Sequence, residues 1–433
     1  MRAEVEITGI GQAGEGVGRH EGLVLFVPGA VPGDRCLVAW EPGRRRMARA
    51  RLLEVTQPSP DREDPPCPAF GRCGGCQLQA IGYAGELREK RRLVEDALRR
   101  IGRIAVEVPP CVGPAEPYGY RAKVSWPIRR GPEGPRVGLF ATGSHEVVEQ
   151  DQCAVLAPAL GRLPDVLRRS MRALSLSAWD GREGLLRHAV ARRARTGEIL
   201  LTLVATVLDP RLKRMAEQVM AAVPELAGVA VSLHGGQGNR VLGGAAQLLR
   251  GHGEIEERIL GLPFRIGPTS FFQVHPAAAE RLFATVLDWA GAADGRPALD
   301  LYTGVGVLAL LLARAGYKVH GVEYDEEAVS FARRNAELNG LDASFAPGDA
   351  QEAELPGPGA LLTLDPPRGG APRLAERLAA AGPQQLIYVS CDPATLARDA
   401  AVLVQGGYLL RRVQPFDLFP RTAHVETVAE FVR

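Results

Sequence analysis

The chain has 433 residues, of which 46% are hydrophobic and 24% charged, with a formal net charge of +2. At about 100–200 residues per domain, that length excludes a single ordinary core and predicts several domains. No apolar run approaches the ~18 residues needed to cross a bilayer, and Met1–Glu6 opens on alternating polar residues instead of a signal peptide, which predicts a cytoplasmic protein without membrane contact.

Residues 1–57 run as short alternating segments, Val5-Glu6-Ile7 and Leu23-Val24-Leu25-Phe26-Val27 among them, broken by glycine and by Pro28-Gly29 and Pro32-Gly33. Strands punctuated in this way predict a small β-barrel whose last two strands are 36–40 and 48–55. Arg44, Arg45, Arg46, Arg49 and Arg51 gather where those strands join. Guanidinium groups on one barrel face suit phosphates and stacked bases, while a solvated surface explains any one cluster equally well. Further clusters fall at Arg88, Lys90, Arg91 and Arg92 and at Arg192, Arg193 and Arg195.

A proline-rich hinge over 57–66 leads into Cys67, Cys73 and Cys76, and then into an amphipathic helix over Tyr83–Ile101 with Leu87, Val94, Leu98 and Ile101 on one face. Strand-like segments near 120–126 and 199–204 follow, with helices near 157–175 and 210–222. Residues 58–268 therefore read as a mixed α+β middle domain.

From 269 to 433 the pattern alternates strand and helix. Strands are expected at 298–302, 318–323, 360–365 and 386–390, and helices near 307–315, 326–339, 372–381 and 393–404. Such alternation predicts a doubly wound, Rossmann-like parallel sheet, so the whole chain is multidomain α/β. Segments 408–413 and 424–431 read as a closing antiparallel hairpin.

The chemistry concentrates in this last part. Asp300-Leu301-Tyr302-Thr303-Gly304-Val305-Gly306 joins a strand to a helix through glycines, which let a ligand approach the backbone. Glu323 ends the next strand, where a carboxylate can accept ribose hydroxyls. A dinucleotide and S-adenosylmethionine both fit; Asp365-Pro366-Pro367-Arg368, which places an aspartate in the strand-end crevice, favours the second. Arg368 stands where methyltransferases of planar nitrogen carry an aromatic residue, which disfavours amine methylation. Cys391, in Val389-Ser390-Cys391-Asp392-Pro393, is a thiol at a strand end. Carbon-5 of uracil is a poor nucleophile, so its methylation needs a thiolate at carbon-6 and later a base to remove the carbon-5 proton. Glu426 is the carboxylate placed for that second step. Cys67, Cys73 and Cys76, with the distant Cys153, would suit a [4Fe-4S] cluster or structural zinc, and spacing does not choose between them.

These motifs together resemble the RNA 5-methyluridine methyltransferase family, and within it the 23S ribosomal RNA (uracil-5-)-methyltransferases with a TRAM domain and an iron–sulfur cluster. The resemblance covers nearly the whole chain. It implies that residues 1–57 are TRAM-like and that Cys67, Cys73, Cys76 and Cys153 hold a [4Fe-4S] cluster. It implies further that Gln273, Tyr302, Gly304, Glu323, Asp349 and Asp365 contact S-adenosylmethionine, with the uracil edge an open alternative for Asp365, that Cys391 is the nucleophile and that Glu426 is the base. Val307 and His275 depart from the asparagines common in the family. The implied substrate is a uridine of 23S rRNA, met by a monomer. The rival readings are a transfer RNA uridine-5 methyltransferase, an RNA cytosine-5 methyltransferase, which would carry a second cysteine after Pro367, and a nicotinamide-dependent oxidoreductase.

Overall fold

The computed structural model describes residues 1–43, 46–150, 152–236 and 240–433. Arg44 and Arg45 of the barrel cluster and Asp151, beside Cys153, lie outside the described residues.

The first 57 residues form one six-stranded sheet in the order 47–49, 23–27, 16–20, 2–10, 35–39, 51–57. Met47–Arg49 pairs in parallel with Leu23–Val27, and after Ala50 the same stretch of chain pairs antiparallel with Arg35–Ala39. One segment thus supplies both edge strands and draws the two edges of the sheet together, curling it into a barrel. Val5, Ile7, Leu25, Val27, Cys36 and Val38 fill it.

A second six-stranded sheet runs in the order 247–251, 226–233, 199–205, 186–193, 123–131, 134–137. Its alternate residues Val124, Trp126, Ile128, Leu201 and Leu203 pack against Leu167 and Met171 of the helix Leu163–Ala173 and Met215 and Val219 of Arg211–Ala222. The period-2 pattern of the strands and the 3.6 pattern of the helices meet in one layer.

The third sheet has seven strands in the order 343–347, 318–323, 297–301, 361–364, 385–390, 426–432, 409–416. The first five are parallel, and Glu426–Val432 is antiparallel to both of its neighbours. Strand order reverses beside Pro297–Leu301, which opens a crevice at the carboxyl ends of the strands. Buried on both faces, strands such as Leu361–Leu364 read as unbroken apolar runs.

The structure differs from the sequence reading in its connections. Helix Tyr83–Ala97 and the π-helical turn Leu98–Gly102, expected with the middle region, bury Val94, Ala97 and Leu98 against Leu396, Ala400 and Leu403 of the C-terminal sheet's covering helix. An apolar stripe fixes that a helix will pack but not which sheet receives it. The edge strand Ala343–Pro347 went unread because only Phe345 is buried in it. The helix Pro276–Ala290, also unread, seats Leu282, Phe283 and Val286 in the sheet's other face.

Candidate active site

The loop after Pro297–Leu301 is held from below. Thr303 Oγ1 and Thr363 Oγ1 each donate to the buried Asp300 carboxylate at 2.6 Å, and burial pushes that carboxyl up to about 6. Tyr302, Gly304 and Gly306 all take positive φ, at 62°, 56° and 88°. Left-handed backbone is costly for tyrosine, so the fixed Asp300 contacts must hold the turn there. Gly304 N donates to Glu323 Oε2 and Asp325 N to Glu323 Oε1, both at 3.0 Å, so the carboxylate is oriented before any ligand arrives.

Gln273, Tyr302, Gly304 and Asp365 line one crevice, together with Phe271 and Val389. Asp349 lines an adjoining cleft with Tyr324 and residues 240–245, beside the carboxyl end of the Glu323 strand. It still faces Tyr302 closely enough to help burial raise that phenol to about 12. The segment carrying Gln273 is secured by Arg192, whose Nη1 and Nη2 donate to Phe272 O (3.3 Å) and Ser270 O (3.1 Å). Arg192 is buried, and Arg195 pairs with Glu280 at 2.7 Å. Arg192 is therefore an internal fastener and Arg195 an exposed ion-pair partner, roles that charge patterning alone does not reveal.

Cys391 directly follows Gln385–Ser390, and Glu426 opens the antiparallel neighbour, Glu426–Val432. Ser390 pairs with Thr427 at the end of the ladder, so Cys391 and Glu426 both adjoin its last pair, near enough for the carboxyl to act on the thiol. Asp365 ends the parallel strand on the other side, where Leu364 pairs with Tyr388. Two carboxyls and a thiol thus converge from three adjacent strand ends. Burial raises Glu426 to about 8, with Asp365 adding to it, and Asp365 to about 7, with Asp300 adding. Burial, then Glu426 and Asp365, push the Cys391 thiol up to about 12, against the opposing pull of Arg368. Asp392 caps the following helix by accepting from Ala394 N (2.9 Å) and Thr395 N (3.0 Å), which fixes the turn after the thiol.

Several residues here were missed or underread. Arg368 was read only as a missing aromatic; its Nη2 donates to His424 Nε2 at 3.1 Å, and burial, aided by that guanidinium, lowers His424 to about 4. Asp399 accepts from Ala371 N (2.8 Å) and Tyr388 OH (2.9 Å), pinning the turn that carries Arg368. The adjacency of Arg368 to the paired prolines was a usable signal, whereas nothing local marked Asp399.

Cys67, Cys73, Cys76 and Cys153 line a single cavity elsewhere, with Gln79 and Arg121. Gly74 N bonds Phe140 O at 2.9 Å, and Gly75 N lies 3.4 Å from Cys73 Sγ, so the loop folds back over its own thiols. Burial pushes Cys76 up to about 12 and raises Cys73 and Cys153 as well. Arg121 Nε and Gln79 Oε1 are buried without a partner. Among the described residues no three Cys, His, Asp or Glu side chains stand at metal-binding spacing, and all seven cysteines are free. The convergence of sulfur donors and an orphaned guanidinium nevertheless suits an anionic thiolate-ligated group.

A TRAM domain profile matches residues 2–53, a methyltransferase domain profile 298–361 and a tRNA (uracil-5-)-methyltransferase profile 360–431. An uncharacterised RNA methyltransferase of Thermosynechococcus vestitus is 40% identical, covering 98% of this chain and 97% of that protein. One from Halalkalibacterium halodurans is 36% identical over 98% and 96%. The crystal structure of Pyrococcus abyssi tRNA (uracil-54, C5)-methyltransferase, in complex with S-adenosyl-L-homocysteine, superimposes with a TM-score of 0.78 at 28% identity over 100% of both chains.

Barrel, strand-end crevice and these matches define an RNA methyltransferase with a TRAM domain. Within that class, the chain belongs to the RNA uracil-5-methyltransferase family. Among the described residues no helix is long and apolar enough to cross a membrane.

Proposed function

We propose that this protein transfers a methyl group from S-adenosylmethionine to carbon-5 of a uridine in RNA through a covalent Cys391–carbon-6 adduct. The observation that carries the reading is the convergence of Cys391, Glu426 and Asp365 at three adjacent strand ends, each near enough to the others to shift their ionisation. S-adenosylmethionine supplies an electrophilic methyl; Gln273, Tyr302, Gly304, Glu323 and Asp349 are the residues proposed to hold it, and Asp365 is proposed to orient either the cofactor's amine or the uracil edge. Carbon-6 is shielded in a stacked base, so the uridine must be flipped into the crevice. Cys391 gives its thiol proton to an adjoining carboxylate and bonds carbon-6; the pair of the carbon-5–carbon-6 double bond moves to carbon-5, which takes the methyl as the methyl–sulfur bond breaks and S-adenosylhomocysteine leaves. Glu426 removes the carbon-5 proton, and the carbon-5 electrons expel the thiolate. A carboxylate raised to about 8 is a stronger base than an exposed one, which suits removal of a carbon-bound proton.

The proposed target is 23S ribosomal RNA. The Pyrococcus abyssi neighbour, described as a tRNA enzyme, supports transfer RNA as the second reading. Cys67, Cys73, Cys76 and Cys153 are proposed to hold a [4Fe-4S] cluster with a structural role, since methyl transfer moves no electrons. Labelled S-adenosylmethionine offered with unmodified 23S rRNA or tRNA transcripts, followed by nucleoside analysis, tests the reading. 5-Methyluridine in the ribosomal transcript alone is expected; in tRNA alone it selects the second reading, and 5-methylcytidine in either would overturn both.

A further inference from the structure

Glu426 is preceded by the segment 417–425, which returns from the edge strand Leu409–Phe416. That segment is held chiefly by parts of the chain far away in sequence. Lys90, fully buried, bonds Asp417 Oδ1 at 2.7 Å and Glu86 Oε1 at 2.8 Å, and Tyr83 OH donates to Asp417 Oδ2 at 3.0 Å. Arg421 is the centre of the arrangement. It is 3% exposed and takes φ +69°, a conformation that a non-glycine residue keeps only when its surroundings impose it.

Its main chain is engaged on both sides. Arg421 N donates to Glu86 Oε1 at 2.8 Å, and Arg421 O accepts from Gln77 N and Leu78 N, each at 3.0 Å. Its Nη1 donates to Ile81 O at 2.8 Å, and the guanidinium lies over the rings of Tyr83 (5.2 Å) and Tyr118 (4.6 Å). On either side of it, Tyr120 OH donates to Pro420 O at 2.9 Å and Ala423 N to Gln77 Oε1 at 3.4 Å. Gln77 adjoins Cys76, and Tyr120 adjoins Arg121 of the cysteine cavity.

We propose that Arg421 is a positioning residue: it clamps the cysteine loop and the Tyr83–Ala97 helix onto the segment that leads to Glu426, and so fixes the base for proton removal. This rests on the covalent reading above. It gives the cysteine cavity a stake in the reaction that needs no electron transfer, because the loop closing that cavity is the loop that grips Arg421. A displaced Glu426 would leave attack by Cys391 and methyl transfer largely intact and slow only adduct release.

Two transcripts separate these steps. RNA made with 5-fluorouridine has no carbon-5 proton to lose, so its denaturation-resistant adduct reports only the steps before Glu426 acts; uridine RNA reports the full cycle. Glycine adopts φ +69° freely, so Arg421→Gly keeps the main-chain contacts available and removes only the guanidinium. With 23S rRNA and tRNA transcripts, this variant should form the 5-fluorouridine adduct at close to the wild-type rate. Turnover on uridine RNA should fall about tenfold, with a larger fraction of enzyme trapped during turnover. Tyr120→Phe, which loses one hydroxyl, should move the trapped fraction in the same direction by a smaller factor, and it decides the matter if Arg421→Gly does not fold. If adduct formation and turnover fell together, with the trapped fraction unchanged, Arg421 would be a stability residue only and the proposal would be overturned. No adduct from the wild type on 5-fluorouridine RNA would instead overturn the covalent reading itself.

Discussion

Cys391 and Cys76 are both raised to about 12, mainly by burial, yet their neighbours give them opposite chemistry. Cys391 stands at a strand end, partly buried like Cys76, among carboxyls that burial has moved to about 7 and about 8. In the proposed mechanism a flipped base meets it, and the carboxyls around it can take and return protons near neutral pH. Cys76 faces Cys73, Cys153 and Arg121. Among the described residues no carboxylate lines that cavity, and thiols gathered in this way become thiolates when a cation is supplied. A thiol's own acidity therefore says little about its role, and the groups within a few ångströms decide it.

The two thiols should respond most differently to removal of Cys391. Cys391→Ala should lower methyl transfer by about 10⁴-fold or more and abolish any adduct, as removal of a covalent nucleophile does elsewhere. Incorporation of labelled methyl into RNA measures it, and residual transfer within tenfold of wild type would place the chemistry elsewhere. Glu426→Gln should cost about 10²–10⁴ in turnover while the adduct persists. Cys76→Ser should behave differently from both: iron and sulfide in anaerobically purified protein should drop, methyl transfer should remain detectable, and the melting temperature should fall.

Smaller effects follow from the raised carboxyls. Glu426 must be ionised to act, so turnover should rise and the trapped fraction fall as pH climbs through about 8; a flat profile from pH 6 to 9 would contradict its role. Its raised value also means that the folded state holds the proton more tightly than the unfolded chain. That contribution to stability is complete below pH 4.5 and is lost as pH rises through about 8. Glu426→Gln should therefore flatten the fall in Tm across this range, at about 2–4 °C for each kcal/mol removed.

Much of the C-terminal domain was legible because its strands are buried on both faces and its helices carry clear apolar stripes. The glycine loop, Glu323, Asp365 and Cys391 all lie at strand ends, where a local motif and its position in the fold coincide. Glu426 was weaker: one carboxylate in a late strand means little until the antiparallel pairing of Ser390 with Thr427 brings it near Cys391. Contacts between distant segments left no local signal. Lys90 and Arg192 looked like members of basic clusters, but one is buried between Glu86 and Asp417 and the other fastens the carbonyls of Ser270 and Phe272. Arg421 lay in no motif, since its importance comes from Gln77, Leu78 and Glu86, far away in the chain.

The central claim is that the chemistry passes through Cys391 and not through the cysteine cavity. Glu426→Gln protein incubated with S-adenosylmethionine and RNA can be denatured, digested with nuclease and trypsin, and mapped by mass spectrometry. A methylated uridine remnant on the peptide containing Cys391 is predicted; a remnant on a peptide containing Cys67, Cys73, Cys76 or Cys153, or none while 5-methyluridine is still formed, would contradict the account.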